Sequence, residues 1–236
     1  MKILHTADWH LGQTFYEYDR REEHFHFLEW LKQQIKQHEI DVLLIAGDVF
    51  DSPNPSAESQ RVYYRFLREV TSENPSLQIV IIAGNHDSAA RLEAPNPLLE
   101  DMNIIVRGTV RRNAEGDIDL QHFIVPLYTE GKVTAYCLAV PYLRQGDYPS
   151  AENYSKGVQQ LYEQLFNKVK EKGIPVVVMG HLQATGSEIS EDDRSERTVI
   201  GGLECVSPDA FNEAITYTAL GHLHRSQRVS HRENVR

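Results

Sequence analysis

Hydrophobic residues along the chain follow two periodicities that alternate from the amino terminus onward. Short, nearly continuous apolar runs predict β-strands at residues 2–7, 41–46, 78–83, 133–140, 175–179 and 215–220. Runs that are apolar at every position are typical of strands buried on both faces. Between these runs, apolar residues recur every three or four positions at 25–35, 63–70 and 161–169, which predicts amphipathic helices. The alternation predicts an α/β fold.

Three stretches depart from this alternation. Residues 103–123 contain short β-like pieces around Gly108 and Gly116, which predict additional antiparallel strands in the middle of the chain. Residues 184–197 are rich in Ser, Glu, Asp and Gly, which predicts a mobile loop. A last predicted strand begins near Ser226 and reaches the end of the sequence without a closing element, so we expect the sequence to be a piece of a longer protein.

The composition is that of one globular domain, which we predict to span residues 1–236. Hydrophobic residues make up 41% of the chain and charged residues 25%, which are ordinary proportions. No apolar stretch approaches the roughly 20 residues that a membrane span needs, and no signal-peptide pattern follows Met1, so we expect a cytoplasmic protein. Cys137 and Cys205 stand in apolar surroundings without paired spacing, which predicts two buried free thiols in a reducing compartment.

The net charge limits which ligands the surface as a whole attracts. Twenty-four lysines and arginines against 34 acidic residues give a net charge of −10, which opposes the binding of a polyanion through basic side chains. Either the affinity for phosphate is confined to one local site, or the substrate is not DNA. Bound metal cations would supply such a local positive field.

Residue types that ligate metals follow five of the predicted strands, at the end where open α/β sheets bind their ligands. They are Asp8, His10, Asp48, Asn85, His86, His181, His222 and His224. The Asp8-x-His10 and His222-x-His224 spacings place both side chains of each pair on one side of an extended segment. In four of the motifs a glycine precedes the ligand, which lets the chain turn out of the sheet without a Cβ clash.

The chemistry of these side chains favours a particular class of metal. Carboxylates, imidazoles and one amide oxygen occur without a thiolate, which favours Mn²⁺, Fe²⁺, Zn²⁺ or Mg²⁺ over a structural zinc site. The seven candidates other than His86 exceed what one ion needs. Together they suit two ions roughly 3.5–4 Å apart, as in two-metal phosphatases and nucleases, with Asp48 as the bridging ligand.

Each motif taken alone has a second interpretation. A single histidine or one Gly-Asn-His-Asp tetrapeptide also occurs in an ordinary turn with a satisfied polar side chain, whereas five such motifs in order favour a metal site. Asp51 is predicted either to reach the site through the Asp48 loop or to cap the turn at Ser52-Pro53. The other histidines are predicted to pack or to lie on the surface, or stay unassigned: His5, His24, His26, His38, His122 and His231.

A resemblance to a known family is carried by four segments: MKILHTADWHLGQTFYEYDR, LLIAGDVFDSPNPS, IIAGNHDS and YTALGHLHRSQ. They are similar to segments of the calcineurin-like metallophosphoesterase superfamily and, within it, of the SbcD-like bacterial nucleases. The resemblance implies a four-layer α/β/β/α sandwich that holds two cations, usually Mn²⁺. It implies Asp8, His10, Asp48 and His224 as ligands of one ion, Asp48, Asn85, His181 and His222 as ligands of the other, and His86 as the catalytic histidine.

The same resemblance implies an activity and partners. SbcD-like nucleases cut duplex DNA ends as 3′–5′ exonucleases and cut single strands and hairpins as endonucleases, in DNA repair, recombination and replication. They form homodimers through helices near the site and act with an SbcC-type ATPase of long coiled coils. They extend beyond this chain with a capping domain and an ATPase-binding region, so the resemblance implies a truncated nuclease domain.

The mechanism expected from these residues is hydrolysis of a phosphodiester. Two cations would bind the scissile phosphate and activate a water for in-line attack, while His86 stabilises the developing charge or protonates the leaving group. Two alternatives stay open. The net charge of −10 favours a phosphatase or phosphodiesterase for small phosphoesters, with the same metal site. The second alternative is a non-catalytic assembly module in which the metals are structural. The presence of all seven ligand candidates argues against this second alternative.

Overall fold

The computed structural model of the chain describes residues 1–187, 205–229 and 232–236. Its strands are β1 Ile3–Thr6, β2 Thr14–Phe15, β3 Tyr18–Asp19, β4 Val42–Ala46, β5 Gln78–Ile82, β6 Ile104–Arg107, β7 Ile124–Thr129, β8 Lys132–Ala139, β9 Val176–His181 and β10 Tyr217–Gly221. Its α-helices are α1 Arg21–His38, α2 Ala57–Glu73, α3 Ala89–Glu93, α4 Asn96–Leu99, α5 Leu120–Phe123 and α6 Tyr154–Val169. The six predicted strands correspond to β1, β4, β5, β8, β9 and β10, and the three predicted helices to α1, α2 and α6.

The strands of the described residues form two four-stranded sheets and a small hairpin. The first sheet has the order β1-β4-β5-β6, and all of its pairs are parallel. The second sheet has the order β10-β9-β8-β7, in which β7 and β8 are the antiparallel pair. Strands β2 and β3 pair separately as an antiparallel hairpin. Helices α1 and α2 make the crossovers that parallel pairing in the first sheet requires.

Alternation of side chains along the strands produces four layers. In β4, Val42 and Leu44 face the second sheet, whereas Leu43 and Ile45 pack against α1 and α2. In the second sheet, the face of β9 that carries Val178 packs against α6. The layers therefore follow the order helix, sheet, sheet, helix, and the predicted four-layer α/β/β/α sandwich is confirmed.

The local sequence explains where two of the long helices begin. Ser56 caps α2 by accepting a hydrogen bond from Ser59 N at 3.0 Å, and Asn153 caps α6 by accepting one from Lys156 N at 2.9 Å. The buried residues of α1, α2 and α6 recur at mainly three- and four-residue spacing, so each helix turns one apolar face to a sheet. None of the helices in the described ranges is both long and apolar enough to cross a membrane.

The prediction of extra antiparallel strands at residues 103–123 is wrong. Strand β6 pairs with β5 in parallel, because the chain returns to the same end of the sheet through α3 and α4. After β6, the antiparallel pairing within this stretch is an isolated bridge between Arg112 and Ile118. The antiparallel pair of the second sheet is formed by β7 and β8, and a hairpin turn at Glu130 and Gly131 joins them.

Three further expectations need correction or lie outside the described residues. Residues 226–228 form no strand, although Val235 makes an isolated parallel bridge to Thr218 of β10. Cys137 is a buried free thiol as predicted, whereas Cys205 is exposed. The loop predicted at 184–197 lies outside the described residues from 188 onward, and Ala184 itself is buried.

Candidate metal centre

The segments that follow the strands of the first sheet lie side by side. Asp8 N donates to Gly47 O at 3.0 Å, and His10 N donates to Asp48 O at 3.0 Å. His86 N, after β5, donates to the Asp48 carboxylate at 2.9 Å. Because β1, β4 and β5 are parallel neighbours, their carboxyl ends meet at one edge of the sheet.

The second sheet ends at the same place. His181 is the last residue of β9, and its Nδ1 lies 2.8 Å from Ala46 O at the end of β4. His222 follows β10, and its N–H donates to the Asp8 carboxylate at 2.9 Å. The candidate site is therefore built at the junction of the two sheets, with residues from both.

One group of converging side chains contains Asp8, His10 and His224. Their candidate ligand atoms lie within 4.8 Å of one another. The Nε2 atoms of His10 and His224 are 3.1 Å apart. Two imidazole nitrogens and a carboxylate at such distances fit one divalent cation between them.

A second group surrounds the end of β9. Asn85 Oδ1 lies 3.0 Å from His181 Nε2 and 3.0 Å from His222 Nδ1. Asp48 Oδ2 lies 3.2 Å from the same His181 nitrogen. Because a backbone carbonyl holds His181 Nδ1, His181 Nε2 is the nitrogen that faces the Asn85 and Asp48 oxygens. Together with His222 Nδ1, these atoms form a set of donors that suits a cation.

The Asp48 carboxylate lies between the two groups, since the Oδ2 atom near His181 is also 3.7 Å from His10 Nε2. Burial alone would raise the pKa of Asp48, but His181 and His10 outweigh it and hold the pKa well below its usual range. Burial lowers the pKa of His181, but the charge and hydrogen bond of Asp48, together with the charge of Asp8, outweigh burial and raise the pKa to about 9. Burial raises the pKa of Asp8 and lowers that of His222 to about 4. Asp48 is thus an ionised carboxylate placed to contact both groups.

The backbone is held in an uncommon conformation at four of these residues. Asp8, His10, Asp48 and His222 have φ of 55°, 46°, 48° and 100°. Left-handed conformations of residues other than glycine concentrate at functional sites, where the surrounding structure stabilises them. The strain therefore coincides with the candidate ligands.

The glycines before the ligands serve mainly to make space. Of the four glycines, Gly47 has a left-handed φ, at 92°, as the predicted sharp turn requires. A Cβ on Gly84 would overlap the Asp48 carboxylate, and a Cβ on Gly221 would overlap Ala46 O. Gly84 thus lets the loops after β4 and β5 of the first sheet approach each other, and Gly221 lets the end of β10 approach β4 of the other sheet.

His86 stands beside the Asp48 carboxylate with its ring fixed. Its Nδ1 lies 2.9 Å from Asp51 O, which makes Nδ1 the donor and directs Nε2 elsewhere. The rings of His86 and His10 meet edge to face at 4.8 Å. His86 also forms a close group with His10 and Asp48, so distance alone does not separate it from the ligand candidates.

Asp51, for which the sequence left two interpretations, reaches the site through His10. Its Oδ1 lies 3.2 Å from His10 Nδ1. A carboxylate that accepts from one ring nitrogen orients the other toward a metal. Asp51 thus touches a ligand candidate rather than only capping a turn.

Asp87 is a site residue that the sequence analysis did not single out. Its buried carboxylate accepts hydrogen bonds from Gly84 N, Val49 N and Phe50 N at 2.9 to 3.2 Å. Burial, with the charge of Asp48, raises its pKa to about 6. Asp87 joins the loop after β5 to the loop after β4. The position of Asp87 directly after Asn85 and His86 in the sequence was the signal that could have identified it as a site residue.

The other histidines lie apart from these groups. His5 contacts the Tyr217 hydroxyl at 3.0 Å, and His122 lies 3.7 Å from Glu93. His24 is buried on α1, whereas His26 and His38 are exposed on the same helix. The predicted packing or surface placement of His5, His24, His26 and His38 is confirmed, whereas His122 had no assignment from the sequence and is buried. His231 lies outside the described residues.

A cleft of about 600 Å³ opens beside Asp8, His10 and His224. The β2–β3 hairpin and α1 form its other wall, with Phe15 and Arg20 among the lining residues. Of the described residues that line this cleft, Arg20 is the one arginine or lysine. The cleft gives a substrate access to one side of the candidate centre.

Comparison with known proteins supports one family. The sequence model of the calcineurin-like phosphoesterase family matches residues 1–226. Three curated relatives, each named as the SbcD subunit of the nuclease SbcCD, are 41% identical in Rhodobacter capsulatus, 32% in Escherichia coli K12 and 29% in Bacillus subtilis 168. The matches cover 96%, 100% and 97% of this chain and 58%, 59% and 58% of the relatives, so the chain spans less than two thirds of their length.

A solved structure, that of Pseudomonas putida nuclease MPE, matches 77% of this chain and 63% of its own, at a TM-score of 0.32 and 16% identity. Metallophosphoesterases bind divalent metal ions, and the described residues provide candidate ligands for them. The family match extends from the first candidate ligand, Asp8, through the last, His224. The chain belongs to the calcineurin-like phosphoesterase family.

Proposed function

We propose that this chain is the nuclease part of an SbcD-like protein and hydrolyses phosphodiester bonds in DNA with two bound cations. The observation that carries the proposal is the convergence of seven donor residues into two groups that share Asp48. The word nuclease in the name shared by the curated relatives supports a nucleic acid as the substrate, which we propose to be DNA. The proposed activities are exonuclease cleavage of duplex ends and endonuclease cleavage of single strands and hairpins, in repair, recombination and replication.

The proposed ligand sets follow the two groups. Asp48 belongs to both sets and would bridge the ions. Asp8, His10 and His224 complete one set, and Asn85, His181 and His222 complete the other. Mn²⁺ is the proposed ion, and the oxygen and imidazole donors without thiolate also suit Mg²⁺, Fe²⁺ or Zn²⁺. When bound, the cations would polarise the phosphodiester and activate a water.

The protein groups around the ligands have separate tasks. His86, held by Asp51 O through Nδ1, would act as an imidazolium with a second proton on Nε2, and would donate that proton to the leaving sugar oxygen or stabilise its charge. The Asp51 side chain orients His10. Asp87 keeps the two loops that carry Asp48 and His86 together.

Partners and location belong to the same proposal. The relatives are named as one subunit of the SbcCD complex, which supports an SbcC-type coiled-coil ATPase as partner. We also propose a homodimer, a cytoplasmic location and residues 1–236 as one nuclease domain of a longer protein. Copurification with the ATPase and light scattering of the purified chain test the two associations.

A digestion assay with Mn²⁺ tests the function directly. Linear duplex, single-stranded and hairpin DNA would be compared with p-nitrophenyl phosphate and bis(p-nitrophenyl) phosphate, with Asp48→Asn as the inactive control. The proposal expects cleavage of the polynucleotides by the parent chain and loss of that cleavage in the variant. Hydrolysis of the monoester alone would contradict it, as would metal binding without turnover of any ester.

One rival function has an observation in its favour. The net charge is −10, and the Arg20 side chain in the cleft is paired with Glu23 at 2.7 Å. Both facts suit a small phosphoester better than a polyanion held by basic residues. A kcat/KM for the small esters above that for every DNA would favour this rival.

A further inference from the structure

The β2–β3 hairpin carries an unusual set of exposed aromatic rings. Phe15 is 63% exposed, Tyr16 91% and Tyr18 60%. Single exposed apolar residues are ordinary on a protein surface, but large rings grouped within four positions mark a binding surface. We call these three residues the aromatic tip.

The backbone of the hairpin is arranged to present the rings. Tyr16 and Glu17 form its two-residue turn with φ of 45° and 68°, a conformation that costs energy in residues other than glycine. Phe15 and Tyr16 meet edge to face with ring centroids 4.7 Å apart. Strained turn residues that hold rings in solvent point to a ligand for those rings.

The hairpin is attached directly to the candidate metal centre. Gln13 N donates to His10 O at 3.0 Å, and the Arg20 guanidinium donates to the Gln13 side chain. Phe15 and Thr14 line the cleft together with the ligand candidates His10 and His224. A strand whose phosphodiester lies beside the candidate ligands would therefore pass Phe15, whose ring contacts the Tyr16 ring of the aromatic tip.

The charges around the cleft and the hairpin favour base stacking over phosphate binding by basic side chains. Among the described residues that line the cleft, Arg20 is the one basic side chain apart from histidines, and it pairs with Glu23. Arg21, at the base of the hairpin, pairs with Asp19 at 2.6 Å, and Glu17 adds a negative charge at the turn. Base stacking on aromatic rings does not depend on net charge and accepts every base.

We propose that the aromatic tip is a stacking platform for the unpaired nucleobases that flank the scissile phosphodiester. The inference rests on the proposed nuclease function and adds the part of the substrate that this surface recognises. Unpaired bases expose their faces, whereas paired bases stack on each other. The platform therefore favours single-stranded segments, frayed ends and hairpin loops, and holds a strand that the acidic surface would otherwise repel.

Ring-specific variants test the proposal. Tyr16→Ala and Phe15→Ala remove one ring each, and Tyr16→Leu keeps apolar bulk without a ring. Tyr16→Trp restores a stacking surface. Tyr128→Ala is the matched control, because Tyr128 is 47% exposed on β7 of the second sheet and lies outside the β2–β3 hairpin. Cleavage of single-stranded DNA would be measured with Mn²⁺, along with quenching of 2-aminopurine placed beside the scissile bond.

The expected result is a KM for single-stranded DNA raised about 5- to 150-fold by each alanine variant and by Tyr16→Leu, as the loss of one stacked base predicts. The quenching should fall in parallel, and Tyr16→Trp and Tyr128→Ala should match the parent chain. Equal KM values and equal quenching in all variants would overturn the stacking platform. Equal losses for Tyr16→Leu and Tyr16→Trp would also overturn it.

Bis(p-nitrophenyl) phosphate separates this inference from the function on which it rests. Its two short esters do not reach along the hairpin, so the alanine variants should lose at least 5 times more kcat/KM on single-stranded DNA than on this diester. A parent chain that cleaves the diester but no DNA contradicts the nuclease proposal itself. A parent chain that cleaves DNA with a KM indifferent to the rings contradicts only the stacking platform.

Discussion

At the scale of single residues, the candidate ligands are oriented by groups that are not ligands themselves. His10 Nδ1 faces the Asp51 carboxylate at 3.2 Å, and His86 Nδ1 faces Asp51 O at 2.9 Å. One residue thus sets the ring orientation of a proposed ligand and of the proposed catalytic histidine. Groups of this kind commonly change metal affinity or activity when they are replaced.

His86→Ala is the sharpest test of the division between ligand and catalyst. We expect kcat for DNA cleavage to fall by about 10² to 10⁴, because proton donation to the leaving oxygen is lost. Bound Mn²⁺ per chain should stay the same, since the seven proposed ligands remain. Metal analysis and cleavage would be compared with His26→Ala, an exposed histidine on α1. Loss of an ion in His86→Ala would instead make His86 a ligand.

Asp87→Ala should destabilise the fold as well as the site. The variant leaves the buried N–H groups of Gly84, Val49 and Phe50 without their acceptor. We expect the free energy of unfolding to fall by about 3 kcal/mol, measured by urea denaturation. Asp117→Ala, in an exposed turn, should change it by less than about 0.5 kcal/mol. Equal stabilities of the two variants would contradict this account.

The sequence was informative about candidate ligands and poor about the residues that support them. Asp8-x-His10 and His222-x-His224 are visible because their spacing matches an extended strand and their chemistry is unusual there. Asp51 and Asp87 act on groups 35 to 41 residues away. Their partners depend on which loops meet in space, and no local pattern encodes that.

At the scale of elements, continuous apolar runs made the buried strands predictable. The sequence did not predict which strands pair or in which direction they run. The run at 78–83 identified β5, but the direction of β6 depends on the crossover through α3 and α4. The short β-like pieces around Gly108 and Gly116 suggested antiparallel strands. A Cβ on Gly108 would overlap Ala89 O, so that glycine instead lets the chain pass close to α3.

Helix α3 is attached to the chain after β6 by Glu93, which gives a pH-dependent prediction. Glu93 accepts from Gly108 N, from Thr109 N and the Thr109 hydroxyl, and from Arg111. Burial alone would raise the pKa of Glu93, but these hydrogen bonds outweigh it and hold the pKa below its usual value. The carboxylate therefore stabilises the fold above the ordinary pKa of glutamate, and that contribution is lost as pH falls through the lower folded value.

Glu93→Gln should lower the free energy of unfolding at pH 7 by about 1.5 to 3 kcal/mol. The difference from the parent chain should shrink at pH values below about 4.5, where the glutamate of the unfolded chain is protonated. Urea denaturation at several pH values measures this, with the exposed Glu152→Gln as the control. A difference that stays constant down to pH 3 would contradict the proposed role of the charge.

At the scale of the whole molecule, the proposed cations matter for folding as well as for chemistry. The site gathers the Asp8 and Asp48 carboxylates, and the charge of Asp48 disfavours ionisation of Asp8. The proposed cations would relieve that repulsion and would link two sheets that, in the described part of the chain, meet through apolar packing and a few hydrogen bonds. Ligands that bind only the folded state raise its stability by mass action.

Removal of divalent cations with EDTA should therefore abolish cleavage and lower the melting temperature. At Mn²⁺ concentrations of 100 times Kd, one site adds about 2.7 kcal/mol, which is about 5 to 10 °C for a chain of this size. Calorimetry with and without Mn²⁺ measures the shift. Asp48→Asn should lose most of the shift. Full cleavage by the EDTA-treated chain would contradict the two-metal mechanism.

The bond from His181 to Ala46 O ties a residue of one sheet to the end of a strand in the other. Between those sheets lies a buried apolar layer that includes Leu44, Met179 and Ala219, none of which is a proposed ligand. Tightly packed interiors transmit changes in volume instead of absorbing them. The size of these buried side chains thus sets how closely His181, from one sheet, approaches Asp48, from the other, so a change of volume deep in the interior should alter the spacing of the proposed ligands.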